Sequence, residues 1–154
     1  MTQLSLDAGM NLDERIAEVL AGKNVPWAPE SEQAVLLEML RSHKGAADAL
    51  PLQTISVQLG MSAREVKEAV KSLIEDFKLP IGGSRQKPYG YFLIVTADDL
   101  EQALRPLTGE IRSMARRVRA LTSEQQLGEI FNQVRMELNQ LPVASGQWPE
   151  RGAK

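Results

Sequence analysis

Two short helices joined by a tight turn are predicted within residues 54–77, whose sequence is TISVQLGMSAREVKEAVKSLIEDF. Gly60 follows the first of them, Ile55–Leu59, and glycine adopts the positive φ that ends a helix at little steric cost. Ser62 begins the second helix, and Glu65 three residues later completes a capping box. This pattern constrains the fold most, because it sets both the end of one helix and the start of the next.

The second predicted helix, residues 62–77, has one apolar face and one polar face. Its apolar residues recur at intervals of three and four and form one stripe: Val66, Val70, Leu73, Ile74 and Phe77. The other side carries Ser62, Ala63, Arg64, Lys67 and Lys71. Arg or Lys in the N-terminal half of such a helix can bind guanine O6 and N7 in the major groove. An ordinary surface helix is the alternative, because Glu65 and Glu68 can pair with these cations.

The segment after this helix predicts a β-hairpin. Leu79–Ile81 and Tyr91–Val95 are short runs with β-branched and aromatic residues, and residues 82–88 between them are rich in turn formers. The tip carries Arg85 and Lys87, which can lie against the phosphate backbone when the preceding helix is in the major groove. A solubilising loop with two charges is the alternative interpretation.

Residues 31–95 resemble a winged helix-turn-helix domain. Ser31–His43 matches its first helix, and Leu50–Leu52 matches a short edge strand. The inward residues of that first helix are then Val35, Leu36, Met39 and Leu40. The chain is also similar to small bacterial and phage-encoded winged-helix regulators and replication-associated proteins. The resemblance implies a mainly α fold with a small β-hairpin, followed by C-terminal amphipathic helices.

The same resemblance implies binding to double-stranded DNA. Its recognition-helix positions correspond to Ser62, Arg64, Lys67 and Lys71, and its wing, residues 82–90, carries Arg85 and Lys87. We expect sequence-specific binding by a transcriptional regulator or by a phage or plasmid replication factor. Winged helices also bind proteins, so the alternative is an interaction module in a larger assembly, without meaningful DNA affinity.

A second apolar pattern, independent of the first, occupies the C-terminal third. Seven residues step by four and three, as in the a and d positions of a coiled coil: Leu100, Leu104, Leu107, Ile111, Met114, Val118 and Leu121. Thr96 predicts the N-cap of this helix, and Pro106 and Gly109 predict a kink or break near residues 105–109. A further helix follows the capping box Ser123–Gln126. Its stripe is Leu127, Phe131, Val134, Leu138 and Leu141.

The winged domain needs only one more helix to close its core, so two apolar stripes indicate a partner chain. We expect a homodimer, with the seam from Leu100 to Leu121 at its interface; burial within the chain's own core is the alternative. Two recognition helices would then fit a palindromic site with half-sites about one helical turn apart. Arg112, Arg116 and Arg119 crowd one side of the same helix. They can contact phosphates, pair with glutamates across the dimer, or form a solvated face.

The charge distribution fits a groove-binding surface on an otherwise acidic chain. The net charge of the 154 residues is −2. Residues 1–40 hold two basic and seven acidic side chains (net −5), and residues 41–121 hold thirteen and nine (net +4). We divide the chain into an acidic arm (1–30), a winged domain (31–96), a helical dimerisation or interaction region (97–141) and a flexible tail (142–154).

Catalytic groups are not apparent in the sequence. Cysteine is absent, and His43 is the only histidine, without a zinc-ligand spacing or a Ser-His-Asp context. No apolar stretch reaches signal or membrane length, which predicts a cytoplasmic protein. We therefore expect no enzyme activity, no cofactor or metal, and no membrane association. Nothing in the sequence identifies a small-molecule effector.

Overall fold

A computed structural model describes residues 12–141, which form six α-helices, one short 3₁₀-helix and a two-stranded antiparallel sheet. The helices are α1 (Leu12–Leu20), α2 (Ser31–Leu40), α3 (Leu52–Leu59), α4 (Ala63–Glu75), α5 (Ala97–Leu121) and α6 (Glu124–Gln140). The 3₁₀-helix covers Ala46–Asp48, and the strands are β1 (Ile81–Ser84) and β2 (Gly90–Leu93). The order of α2, α3, α4 and the hairpin is that of a winged helix-turn-helix. The predicted fold class is therefore confirmed.

The turn between α3 and α4 has the predicted geometry. Gly60 closes α3 in the left-handed region, with φ 64° and ψ 30°. The Ser62 hydroxyl accepts the Glu65 backbone N–H at 3.2 Å, and the Glu65 carboxylate accepts the Ser62 N–H at 2.7 Å. These reciprocal bonds satisfy donors that the helix itself leaves without partners. Helix α3 is longer than predicted, because it begins at Leu52 rather than at Ile55.

The core lies between α1, α2, α3, α4 and the hairpin. Most of the stripe predicted for residues 62–77 is buried: Val66, Val70 and Leu73 on α4, and Phe77, which lies just beyond it because α4 ends at Glu75. The predicted burial of Ile74 is wrong: its side chain is 38% exposed at the edge of a cleft.

Helix α2 differs from its prediction in length and in rotation. It ends at Leu40 rather than at His43, because the carbonyl of His43 accepts the Leu93 N–H at 2.8 Å and draws the chain towards β2. The predicted burial of Val35 is also wrong, because Val35 is 48% exposed and Leu37 is buried instead.

The N-terminal acidic stretch contributes a packed helix to the domain. Leu12, Ile16 and Val19 of α1 are buried in the common core. Arg15 Nη2 donates a hydrogen bond of 3.0 Å to the Phe77 carbonyl, just beyond the end of α4. The segment predicted as an arm (1–30) therefore includes part of the folded body. Residues 1–11 and the predicted tail (142–154) lie outside the described residues.

The hairpin is fixed to the body at its base. The Leu50 N–H donates to the Tyr91 carbonyl at 2.6 Å, and the Tyr91 N–H donates to the Leu50 carbonyl at 2.9 Å. The predicted edge strand Leu50–Leu52 is thus reduced to a single antiparallel bridge, because α3 already begins at Leu52. Gly90 makes this contact possible: its φ is 134°, and a Cβ there would overlap the Leu50 carbonyl.

Helix α5 is attached to the winged domain through Asp99. The buried Asp99 carboxylate accepts the N–H of Ala46 at 3.0 Å and the N–H groups of Val95 and Thr96 at 3.1 Å each. Thr96 is the N-cap, as predicted, and its hydroxyl accepts the Asp99 N–H. One side chain therefore joins the 3₁₀-helix, the end of the hairpin and the start of α5, with every bond charge-assisted.

Of the kink or break predicted near residues 105–109, the break is wrong, because helix α5 is continuous from Ala97 to Leu121. A proline removes one helical hydrogen bond, but its fixed φ is compatible with a helix, and the ladder continues past Pro106. The buried residues of α5, Asp99 and Ala103, lie near its start. Helix α6 follows the predicted Ser123 cap and has no buried residue. The second half of α5 and all of α6 therefore extend from the body.

Candidate nucleic-acid interface

The N-terminal half of α4 presents its polar residues to solvent. Ser62, Arg64, Lys67 and Lys71 are all exposed. The side chains of Arg64 and Lys71 are 88% and 74% exposed. The capping box fixes where α4 begins, and the apolar stripe fixes its rotation on the core. Together they leave this polar face accessible to a groove.

Carboxylates on the same helix pair with two of these cations. Arg64 Nε lies 3.2 Å from Glu68 Oε1, and Lys71 Nζ lies 3.9 Å from Glu75 Oε2. Such exposed pairs contribute about 0–1 kcal/mol, so a phosphate or a base edge can displace the carboxylate. Lys67 makes no ion pair within residues 12–141. A ligand can therefore bind Lys67 without first breaking an ion pair, unlike Arg64 and Lys71.

The two wing cations have different surroundings. Arg85 Nη2 lies 2.6 Å from Glu110 Oε1 of α5, with side chains 68% and 53% exposed. Lys87 is exposed at the tip. Sequence reasoning missed Glu110, because 25 residues separate it from Arg85 and no local pattern signals the contact.

A cleft of about 900 Å³ lies between α4, the hairpin and α5. Lys67 and Ile74 line it from α4, Arg85 and Tyr89 line it from the hairpin region, and Leu104 lines it from α5. Lys67 and Arg85 therefore border one cleft, whereas Arg64, Lys71 and Lys87 do not line it. Burial raises the pKa of Tyr91, a further lining residue, which keeps its phenol neutral.

The three arginines predicted on α5 lie apart from this set. Arg112, Arg116 and Arg119 are exposed on the second half of the helix and do not line the cleft. Arg119 Nη2 lies 3.4 Å from Glu124 Oε1 at the start of α6. The structure therefore places these residues on the part of α5 that extends from the body.

The side chains of the predicted seam become more exposed from the start of α5 towards its end. Leu100 and Leu104 are half-buried beside the cleft. Leu107, Ile111 and Met114 are 50–57% exposed, and Leu121 is 85% exposed. Val118 is half-buried. Most of the seam therefore has no covering partner in the described part of the chain.

Two further properties concern residues 12–141. Their histidine, aspartate and glutamate side chains form no group that could hold a metal ion. Within the same residues, no helix combines the length and the apolar character needed to cross a membrane.

Comparison with known proteins adds one distant structural likeness. No family model matches the sequence, and a search of curated proteins gives no match. Among solved structures, the chain is similar to a single-substitution mutant of MepR from S. aureus, with 17% identity over 71% of this chain and 78% of that chain and a TM-score of 0.33. A likeness at this level carries no argument about function. The fold assignment depends on the order and packing of the elements described above.

Proposed function

We propose that the protein binds double-stranded DNA sequence-specifically, with the recognition helix (62–77) in the major groove and the wing (82–90) on the backbone. One observation carries this proposal: Lys67 of the α4 N-terminal half and Arg85 of the hairpin tip, both exposed, border one cleft of a winged helix-turn-helix fold. The biological role that fits is that of a transcriptional regulator or of a phage or plasmid replication factor.

The site residues divide into two kinds of contact. Arg64 and Lys67 lie in the first turns of the recognition helix, where side chains reach base edges. Lys71, Arg85 and Lys87 would bind phosphates, which position the protein without reading sequence. Ser62, at the helix start, can donate its hydroxyl to a phosphate. With a net charge of −2, the chain can bind DNA only through this local concentration of positive charge.

The proposed DNA-binding form is a homodimer. The exposed seam on α5 and the exposed stripe on α6 support it, because water is a poor environment for two apolar helix faces of this length. A two-fold dimer presents two recognition helices to half-sites about one helical turn apart. Arg112, Arg116 and Arg119 would then lie near the dimer axis, close to flanking phosphates or to acidic residues of the other copy.

One observation favours a second function, a protein-binding winged helix. Helix α4 carries three cations and three carboxylates, so its net charge is zero. In addition, Arg85 of the wing is already paired with Glu110. A module of this kind would bind another chain through its apolar cleft and would have negligible affinity for DNA at physiological salt.

Fluorescence anisotropy with genomic DNA fragments at two salt concentrations separates these functions. DNA binding predicts a fragment-dependent affinity that falls with salt, because released counterions drive the association. Lys67→Ala should weaken binding. Lys23→Ala is the matched control, because Lys23 is exposed near the opposite end of α4. Equal and negligible affinity for every fragment, at both salt concentrations, would leave the protein-binding function as the better account.

A further inference from the structure

We infer that α6 of a second copy of this chain docks into the cleft between α4, the hairpin and α5. The inference deepens the proposed function and rests on the homodimer of that proposal. The seam residues Leu100, Leu104 and Leu107 line the cleft. In this arrangement they are covered by α6 of the other copy and not by a second α5.

The cleft has the properties of a helix-binding groove. Its lining is mostly apolar and comes from three elements, including Ile74 of α4, Ile81 of the hairpin, and Leu100 and Leu104 of α5. Leu107, also in the lining, is 54% exposed. Contiguous apolar surface of this kind on a soluble domain marks a binding site, and amphipathic helices commonly occupy such grooves.

Helix α6 has the properties expected of a helix that binds in this cleft. Its 17 residues span roughly 25 Å, and none of them is buried. Apolar side chains recur on one side at intervals of three and four: Leu127, Ile130, Phe131, Val134 and Leu138. A helix of this length is marginal in water when it stands alone, because most helical stability comes from packing an apolar face.

The charges of the groove and of α6 are complementary. Within residues 12–141, the cleft lining contains three cations and no carboxylate, and Lys78 is the one among them that the proposed function does not assign to DNA. Helix α6 carries three glutamates and one arginine, a net charge of −2. Opposite charges around an apolar contact steer the two surfaces together and disfavour other pairings.

The connection to α5 favours a second copy over the chain's own α6. Thr122 has φ −129° and ψ 163°, and Ser123 has φ −76° and ψ 165°, so both linking residues are extended. In the described chain α6 packs mainly against α5, and none of its residues is buried. If each copy places its α6 in the cleft of the other, both clefts are filled and the two copies are related by a two-fold axis.

The docked helix would contact both DNA-binding elements at once. Lys67 of α4 and Arg85 of the hairpin line the same cleft as Leu104 and Leu107 of α5. Dimerisation would therefore hold the recognition helix and the wing together, in addition to pairing the two copies.

Cysteine cross-linking tests the inference cleanly, because the sequence contains no cysteine. An Ile74→Cys chain and a Val134→Cys chain, carrying tags of different size, are co-expressed, purified and oxidised without DNA. The matched control replaces Ile74→Cys with Val57→Cys, a 72% exposed position on α3 outside the cleft lining. Docking predicts a mixed disulfide-linked dimer that forms at least about tenfold faster with position 74 than with position 57, because docking raises the effective thiol concentration.

A second cleft position protects the test against a folding defect. If circular dichroism shows that Ile74→Cys is unfolded, Leu107→Cys on the α5 wall replaces it, with the same expected result. Equal cross-linking rates for the cleft and control positions would overturn the inference. So would an intrachain disulfide in an Ile74→Cys/Val134→Cys monomer, because the chain's own α6 would then fill the cleft.

Light scattering of the unmodified chain tests the proposed dimer separately from the docking of α6. A dimer whose α6 does not cross-link to the cleft overturns the docking and leaves the proposed dimer in place. A monomer overturns both. If the unmodified chain binds no DNA while the cysteine variants still cross-link, the proposed DNA-binding function is overturned and the docking is supported.

Discussion

Arg85 at the tip of the hairpin and Glu110 of α5 form an ion pair of 2.6 Å that joins the wing to the C-terminal helix. Both side chains are more than half exposed, so the pair contributes little to the stability of the fold. Under the proposed function, the same guanidinium binds a phosphate. Glu110 is therefore a competitor of DNA that belongs to the protein itself.

Replacing Glu110 with Gln should raise the affinity for DNA. Removing a competing exposed ion pair is worth about 0.5–1 kcal/mol, or roughly two- to fivefold in the dissociation constant. Because Arg85 would neutralise its phosphate more fully, the salt dependence should also become steeper, by up to about 0.9 in the log–log slope. Anisotropy titrations at several salt concentrations measure both. Glu32→Gln, an exposed change on α2, is the control, and identical curves for the two variants would contradict the prediction.

Arg64 and Lys87 should differ in what their loss does to specificity. Under the proposed function Arg64 reads a base edge, so Arg64→Ala should cost about 1–3 kcal/mol on the preferred sequence and relax the choice of base. Lys87→Ala should weaken all sequences alike and reduce the salt slope by about one, because it removes one phosphate contact. Competition titrations with randomised sites measure both effects. A uniform loss for Arg64→Ala would exclude it from base recognition.

Gly82 should be intolerant of a side chain, whereas Gly109 should not. A Cβ at Gly82 would lie 2.7 Å from the Ala103 Cβ and 2.7 Å from Phe92 Cζ, so Gly82→Ala should destabilise the fold by about 1–3 kcal/mol. Gly109 lies inside α5 with open space around it, so Gly109→Ala should stabilise by up to about 1 kcal/mol. Urea unfolding measures both. Equal stability of the two variants would show that the hairpin does not pack on α5 this closely.

Asp99 should contribute more to stability than its neighbour Asp98. Asp99→Ala leaves the N–H groups of Ala46, Val95 and Thr96 without their acceptor, which should cost about 3 kcal/mol. Asp98→Ala, in the same turn but exposed, loses only its interaction with the helix dipole, about 0.3–1 kcal/mol. Thermal unfolding of both variants gives the difference. Similar losses would contradict the role of Asp99 as the attachment point of α5.

The capping box of α4 should make stability depend on pH. Hydrogen bonds from the Ser62 backbone and side chain lower the pKa of Glu65. A group whose folded pKa is lowered stabilises the fold above its unfolded pKa, about 4.3 for glutamate, and loses that contribution as the pH falls through the folded pKa. The melting temperature of the wild type should therefore exceed that of Glu65→Gln at neutral pH and approach it in acid. A difference that stays constant from neutral pH into acid would contradict the assignment.

Interactions that are local in the sequence could be predicted, and those between distant segments could not. Ser62, Thr96 and Ser123 each cap a helix as predicted, because a capping box spans only four residues. By contrast, 53 residues separate Asp99 from Ala46, and 62 residues separate Arg15 from Phe77. Such contacts depend on the folded arrangement, and no pattern in the sequence indicates them.

Apolar periodicity predicted the candidate site only in part. The stripe of α4 fixed the rotation of the helix correctly, so Arg64, Lys67 and Lys71 are exposed together. It also included Ile74, which lines a cleft instead of the core. A stripe shows which face is apolar, but not which element covers it, so the cleft itself could not be predicted.

The hydrogen bonds between Leu50 and Tyr91, together with the tight contact of Gly90 on the Leu50 carbonyl, tie the base of the hairpin to the segment just before α3. Under the proposed function, we therefore expect a fixed distance between the recognition helix and the wing. On DNA, chemical protection should show a footprint of the same width on strong and weak operators. Adaptation of such a protein to a diverged operator would then proceed by exchange of individual side chains, with the scaffold unchanged.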